Sequence, residues 1–304
     1  MKVLLTGASG FVGRVLVSNE PSLFRCVIRN QDADSFLDSY MINSLSKDTY
    51  WDGAFVGCDS VIHLAGLAHT NRASCDDFNV VNVEGTLHLA SEAVKAGVRR
   101  FIFVSSIGVY GTSTSQKSFS IHSPPKPHNY YSLSKYQAEV GLIDIAKKTG
   151  LEVVIIRPTL VYGALAPGNF GMLTKLVKKV PFLPFGACNN KRDFISVQNL
   201  ADLLITCVNS PNAAGHTFLA SDGETVSIKE FTNAIARGFN KKLIQLPVPV
   251  SLMYLAARLV GKVTMAEQLL GNLEVDSSNA QDVLGWVPPY TMEQAMASLS
   301  ESKK

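Results

Sequence analysis

The chain has little charge for its length and almost no excess of either sign. Lys and Arg number 28 and Asp and Glu 25 in 304 residues, a formal balance of +3. A nucleic-acid-binding surface needs a dense basic stripe, and no basic run here exceeds a few residues. The pairs Lys147, Lys148 and Lys178, Lys179 read as solvated helix surfaces. Cysteine is also scarce. Cys26, Cys58, Cys75, Cys188 and Cys207 are scattered, odd in number and without a CxxC spacing. That excludes a disulfide framework and a zinc site, so no metal is expected, and it fits a reducing cytoplasm. Long apolar runs are missing too. The start, Met1-Lys2-Val3-Leu4-Leu5, is too short for the core of a signal peptide, and no span reaches membrane length, so no stable membrane insertion is expected. The most apolar late stretch, residues 243–263, is broken by Pro247, Pro249, Arg258 and Lys262. It reads as a loop leading into a core-packed helix, with contact to a membrane surface as the alternative.

What is present is a globular composition, 46% hydrophobic, arranged as an alternation. Short β-branched runs at residues 3–6, 26–28, 60–65, 101–105 and 153–156 have the length of buried strands. Helical spacing lies between them, at residues 83–96 and 132–148 for example, with Gly97 placed to end the first of these. Strand–helix alternation predicts an α/β fold with a doubly wound parallel sheet. After Arg157 the pattern turns irregular, with Gly163, Pro167, Gly168, Pro181, Pro184 and Gly186 crowded together. The expectation is a dinucleotide-binding domain over residues 1–160. A smaller mixed α/β substrate domain follows over 161–304, and a segment near 192–210 packs back on the first.

Gly7-Ala8-Ser9-Gly10-Phe11-Val12-Gly13 follows the first strand directly and opens a helix. Such a turn lets a pyrophosphate approach the backbone, and the helix start supplies free N–H groups and a positive dipole end. Gly7, Ser9, Gly10, Phe11, Val12 and Gly13 are therefore assigned to a dinucleotide in a Rossmann-type sheet. The acid that would bind a ribose 2′-hydroxyl after the second strand is replaced by Arg29. An arginine suits a 2′-phosphate, which favours NADP(H) over NAD(H). Arg14 could add charge there, while Asp32 and Asp34 keep NAD(H) open.

Tyr131-Ser132-Leu133-Ser134-Lys135 places a phenol and an ammonium four apart on one helical face. The expectation is that Lys135 lowers the phenol's pKa and makes Tyr131 a proton donor and acceptor. Tyr130 is the competing candidate. Ser105 and Ser106 close a strand at the carboxyl edge, where ligands bind in such sheets. Ser106 is chosen to hold a substrate oxygen against Tyr131. Leu64, Ala65, Gly66, Asn82, Ser105 and Pro158, with Tyr131 and Lys135, are assigned to the cofactor. Asn82 is read as a brace beneath it and His63 as structural.

TGASGFVG, HLAG, NVEGT, SSIGVYG, YSLSK, IIRPTLVYG and RDFISVQNLAD occur in one order. As a set, from Met1 to about Trp286, they resemble the extended short-chain dehydrogenase/reductases that act on nucleotide sugars, the UDP-glucose 4-epimerase group of the NAD-dependent epimerase/dehydratases. The tail is similar to a bacterial branch that reduces UDP-4-keto-6-deoxy-N-acetylhexosamines for surface polysaccharide. The resemblance implies Ser106, Tyr131 and Lys135 as catalytic residues, a UDP-sugar substrate, and Asn169, Arg192 and Asp276 as substrate contacts. It also implies a homodimer packed through the helices at 83–96 and 136–147. Departures carry information. Ser106-Ile107-Gly108 stands where dehydratases carry two carboxyl groups, which argues against dehydration. Ser196 replaces a histidine. Ser44-Leu45 stands where an acid is common. The leading reading is a 4-keto reductase using NADPH, tilted by Arg29; the alternative is a 4-epimerase with retained NAD. A non-catalytic nucleotide sensor, the third reading, would commonly lack the tyrosine or lysine.

Overall fold

The computed structural model describes residues 2–29, 36–68 and 73–301. Asp32 and Asp34 lie outside the described residues. The first half runs β1 (Lys2–Thr6), α1 (Phe11–Asn19), β2 (Phe24–Ile28), β3 (Ser39–Met41), β4 (Cys58–His63), α2 (Cys75–Phe78), α3 (Gly85–Lys95), β5 (Arg100–Val104), α4 (Tyr130–Thr149) and β6 (Glu152–Pro158). The second runs β7 (Leu160–Tyr162), α5 (Gly168–Lys179), β8 (Phe182–Leu183), β9 (Arg192–Ser196), α6 (Val197–Asn209), β10 (Thr217–Ala220), β11 (Thr225–Val226), α7 (Ile228–Gly238), β12 (Ile244–Gln245), α8 (Val250–Leu259), α9 (Val263–Leu270), α10 (Ser278–Leu284) and α11 (Met292–Glu301).

Seven strands form one parallel sheet in the order β10-β6-β5-β4-β1-β2-β3. The period-two alternation of each strand divides the core. Val3, Leu5, Ile62, Ile102, Val154 and Ile156 face one layer with Leu16 of α1 and Leu200, Leu203 and Leu204 of α6. Leu4, Val61, Phe101, Phe103, Val153 and Ile155 face the other, with Leu89 and Ala93 of α3 and Ala138 and Leu142 of α4. The chain leaves β1 toward β2 and β3, then returns to β4 on its other side. That reversal opens a crevice at the carboxyl ends of β1 and β4, the position where doubly wound sheets take ligands.

A second core gathers Tyr162, Phe170, Phe194 and Phe231 with α5, α7 and α11. The rings of Phe194 and Phe231 stack with centroids 3.8 Å apart. The later chain also serves the first core. Strand β10 closes the sheet edge beside β6, α6 covers one face, and Ala280 and Trp286 join the same layer. Trp286 is fixed by an indole N–H to Asp202 at 2.7 Å.

Local signals account for the helix ends. Asn129 accepts from Ser132 N at 2.8 Å and Ser132 Oγ accepts from Asn129 N at 3.2 Å, a reciprocal cap that starts α4. The helix expected from residue 83 is instead preceded by a π-helical stretch over Asn79–Glu84 and is α-helical only from Gly85. The wide turn aims Asn82 inward. The long connection at 112–129 is stitched to the segment 272–276, with Thr114 N donating to Asn272 O and Phe119 N to Glu274 O, both at 2.8 Å. One expectation is narrowed. The helix after Pro249 packs on the core by one face only, and α8 has no fully buried residue. Only its inner face, Val250, Met253, Tyr254 and Ala257, rests against the second core.

Candidate active site

The site is built on the turn from β1 to α1. Gly7 has φ 75°, and a Cβ there would stand 2.9 Å from Ala65 N. A Cβ on Gly13 would lie 2.3 Å from Gly7 O. The turn therefore packs backbone to backbone against the loop after β4 and against its own helix, which only glycine permits. Helix α1 begins at Gly10 with no side-chain cap. Its first-turn N–H groups stay free for an anion. Arg14 does not turn toward that anion; its Nε donates to Ser9 O at 2.8 Å and firms the loop.

From this loop a cavity of about 730 Å³ runs along the carboxyl edge. Its walls contain Gly7, Ser9, Gly10, Phe11, Val12, Gly13, Arg29, Leu64, Ala65, Gly66, Ser105, Ser106, Tyr131 and Pro158, and at the far end Asn169 and Arg192. Lys135, Asn82 and Asp276 are not on the wall. Lys135 and Asn82 stand directly behind it. Asp276 is engaged elsewhere, its N–H on Phe119 O and its carboxylate accepting from Ser278 N at 3.1 Å.

Asn82 grips the loop after β4 by both amide atoms. Its Oδ1 accepts from Leu67 N at 2.7 Å, and its Nδ2 donates to Leu67 O and to Ser134 Oγ at 3.0 Å. His63, fully buried, lies between Thr6 Oγ1 at 2.6 Å and Thr86 Oγ1 at 2.8 Å. Burial, with the Lys135 charge adding to it, lowers its pKa to about 3. It is a neutral strut joining β1, β4 and α3.

Tyr131 and Tyr130 separate cleanly. Tyr130 is 56% exposed, whereas Tyr131 lines the cavity. Ser106 Oγ accepts from Gly108 N at 3.0 Å and lies beside the Tyr131 phenol on the same wall. Burial pushes that phenol up to about 12, and the Ser106 hydroxyl beside it opposes the rise in part. The expected lowering of Tyr131 by Lys135 is thus corrected. The Lys135 ammonium is turned away, donating to Val104 O at 3.0 Å and standing 4.6 Å from the Phe103 ring centroid. Desolvation dominates both groups: Lys135 itself falls to about 8, with Glu139 pulling it up.

Behind Lys135, Arg157 holds Glu139 with a two-pronged ion pair and also donates to the Tyr110 hydroxyl. Tyr110 stacks on Phe119, centroids 5.4 Å apart. Further along the wall Arg192 stands beside Asp193. Arg192 is 7% exposed, donates to Gly271 O at 2.8 Å and is lowered to about 10 by burial. Asn169, at the uncapped start of α5, reaches Gln268 Oε1 at 3.4 Å.

The residues present fit a dinucleotide on two structural grounds. One is the uncapped glycine turn. The other is the Ser105 hydroxyl, 2% exposed on the cavity wall and without a partner among the described residues, an orphan that a ligand's polar group would satisfy. Sequence reasoning missed Thr112, His128, Thr159, Asp193 and Gln268, which also line the cavity. Gln268 comes from α9, where no motif marks it. Ser44 and Leu45, noted only as a departure, form the wall beyond Arg29.

Several known proteins share this architecture. A UDP-glucose 4-epimerase from Vibrio cholerae is 37% identical, covering 99% of this chain and 94% of its own. The N-acetyl-alpha-D-glucosaminyl-diphospho-ditrans,octacis-undecaprenol 4-epimerase of Escherichia coli O157:H7 is 27% identical over 97% of this chain and 92% of its own. The crystal structure of UDP-N-acetylglucosamine 4-epimerase from Bacillus cereus superposes with a TM-score of 0.81 at 19% identity, covering 99% and 98% of the two chains. With residues 3–221 matching its family model, this chain belongs to the NAD dependent epimerase/dehydratase family.

Proposed function

We propose that the chain is a UDP-sugar 4-epimerase that retains its nicotinamide cofactor through the cycle. The observation that carries the reading is that Ser106 and Tyr131 stand together on the wall of a single cavity. That cavity has the glycine turn at one end and Arg192 with Asn169 at the other. A nicotinamide dinucleotide bound on the turn supplies a hydride acceptor and donor. As the phenolate, the form that a positively charged oxidised nicotinamide and Lys135 would favour against burial, Tyr131 would take the proton from the C4 hydroxyl as hydride leaves C4 and return it as hydride comes back, with Ser106 holding the C4 oxygen beside it. Lys135 sets the charge behind the phenol. Arg192 and Asn169 hold the diphosphate, the group shared by a UDP-sugar and by the polyprenol-linked sugar in the E. coli relative's name. Epimerisation needs no net reductant, and the V. cholerae likeness over nearly the whole chain supports it over reduction.

A second reading, reduction of a UDP-4-keto-6-deoxy-N-acetylhexosamine by NADPH, is favoured by Arg29, exposed on the cavity wall just past β2. Both readings place the protein in the cytoplasm, where nucleotide sugars are made. Both fit a homodimer through α3 and α4, since Val140 and Ile143 of α4 are 50% and 41% exposed. The deciding experiment incubates the purified protein with UDP-glucose and with UDP-N-acetylglucosamine without added cofactor, and follows the C4 epimer by NMR. Interconversion supports the epimerase. If there is none, but NADPH is oxidised stoichiometrically with the 4-keto sugar, the reductase reading replaces it. Substituting Arg29→Ser then weakens NADPH relative to NADH by about tenfold, the ~1.5 kcal/mol of a charged hydrogen bond.

A further inference from the structure

Helix α8 is apolar on the wrong side. Its inner face is ordinary: Val250, Met253, Tyr254 and Ala257 recur at helical spacing against the second core. The opposite face of such a helix is normally polar. Here Leu252, Leu255 and Leu259 are exposed by 53%, 54% and 81%, and Val260 continues the stripe at 67%. The segment that leads into α8 repeats the pattern. Ile244 of β12 and its register partner Phe182 of β8 are 62% and 53% exposed.

The charge flanking this apolar surface is mostly positive, with the exposed Glu267 of α9 as the nearest acid beyond it. Residues 159–190 contain Lys175, Lys178 and Lys179 and no acidic residue; residues 239–266 contain Lys241, Lys242, Arg258 and Lys262 and no acidic residue. Lys241 ties the two segments together, its ammonium donating to Val177, Lys178 and Val180 carbonyls at 2.8 Å each. The other six cations are exposed. In a chain whose charges otherwise nearly balance, this concentration is local.

We infer that the outer face of α8, with the β8–β12 ribbon beside it, docks on an anionic lipid bilayer. Exposed leucines flanked by Lys and Arg are the pattern of a helix that lies in the headgroup region, apolar side chains down and cations against lipid phosphates. A second copy of the chain is the poorer occupant. A two-fold interface brings the same patch against itself, so uncompensated cations would face cations. The docking would also place the cavity near the membrane. Arg192 on the cavity wall lies near Tyr254, on the inner face of α8. Gln268 on the cavity wall belongs to α9, which packs on α8.

The test is co-sedimentation of the full chain with vesicles of equal parts phosphatidylglycerol and phosphatidylcholine, against vesicles of phosphatidylcholine alone. Binding to the mixed vesicles should exceed binding to the neutral ones by about tenfold or more and fall with salt. Leu255→Glu with Leu259→Glu should abolish it, and Arg258→Glu with Lys262→Glu should weaken it. Thermal unfolding and NAD binding by fluorescence should be unchanged in all, since these side chains are exposed. No binding to mixed vesicles, or binding that the leucine variants leave intact, overturns the inference. Self-association that Leu255→Glu dissolves, without vesicle binding, assigns the face to a second copy. Because the readout is partition and not turnover, its failure leaves the epimerase reading standing.

Discussion

The ammonium of Lys135 donates to the carbonyl of Val104 at 3.0 Å, at the last residue of β5. A lysine this deeply buried is held charged by that carbonyl and by Glu139 one turn along α4, and burial still brings it down to about 8. The sign follows directly: the cationic form is lost as pH rises through about 8. The proposed chemistry uses that cation behind Tyr131, so kcat/KM should fall above about pH 8. Lys135→Met should lower kcat by about a hundredfold and show no limb at that pH. A wild-type profile flat from about pH 6 to 10 would remove Lys135 from the mechanism.

Tyr130 and Tyr131 are adjacent in sequence and opposite in environment, so paired substitutions separate a catalytic phenol from a surface one. Tyr131→Phe should reduce kcat by about 10²–10⁴-fold, and Ser106→Ala, which removes the hydroxyl beside it, by about 10²-fold. Tyr130→Phe should change little. NAD binding, followed by fluorescence, should survive each. Equal losses for Tyr130→Phe and Tyr131→Phe would mean that the phenol facing the cavity is not the reacting one.

The ion pair of Glu139 with Arg157 is buried, with 1% and 10% of the two side chains exposed. Removing one partner strands the other charge. Glu139→Gln should destabilise the protein by about 3–5 kcal/mol in urea unfolding. It should also lower the Lys135 limb of the pH profile, because the carboxylate supports the ammonium. A stability loss with the limb unmoved would make the pair structural only.

These sites differ in how far they could be read before folding. The glycine turn and YxxxK were legible because each is a local geometry written in consecutive residues. So was the sheet, whose strands announce themselves by β-branched runs. Strand β3, at Ser39–Met41, was not legible: three residues at a sheet edge carry no periodicity. Nor was β10, which joins the sheet across some sixty residues of other structure. The charge state of Tyr131 was misread because spacing reports which residues share a helix face. It does not report that burial outweighs a neighbour whose ammonium turns to Val104. Asp276, carried over by resemblance, faces the 119 loop, and Gln268 took the kind of wall position that no motif predicted.

His63 gives a prediction about stability in place of activity. Its pKa is about 3 in the fold, against 6.5 when unfolded, because burial between Thr6 and Thr86 penalises the imidazolium. As pH falls below 6.5 the unfolded chain takes a proton that the folded one refuses. The stability that neutral His63 contributes is therefore fully present above pH 6.5 and declines by about 1.4 kcal/mol per pH unit until about 3. His63→Gln keeps a hydrogen-bonding side chain between the two threonines but cannot titrate. Between about pH 7 and pH 5 the wild type should lose about 2 kcal/mol more than the variant in urea unfolding, carboxylate contributions being common to both. Parallel pH dependences would mean that the imidazole titrates in the fold as it does in the unfolded chain, so that the Thr6–His63–Thr86 strut accepts a proton at no cost.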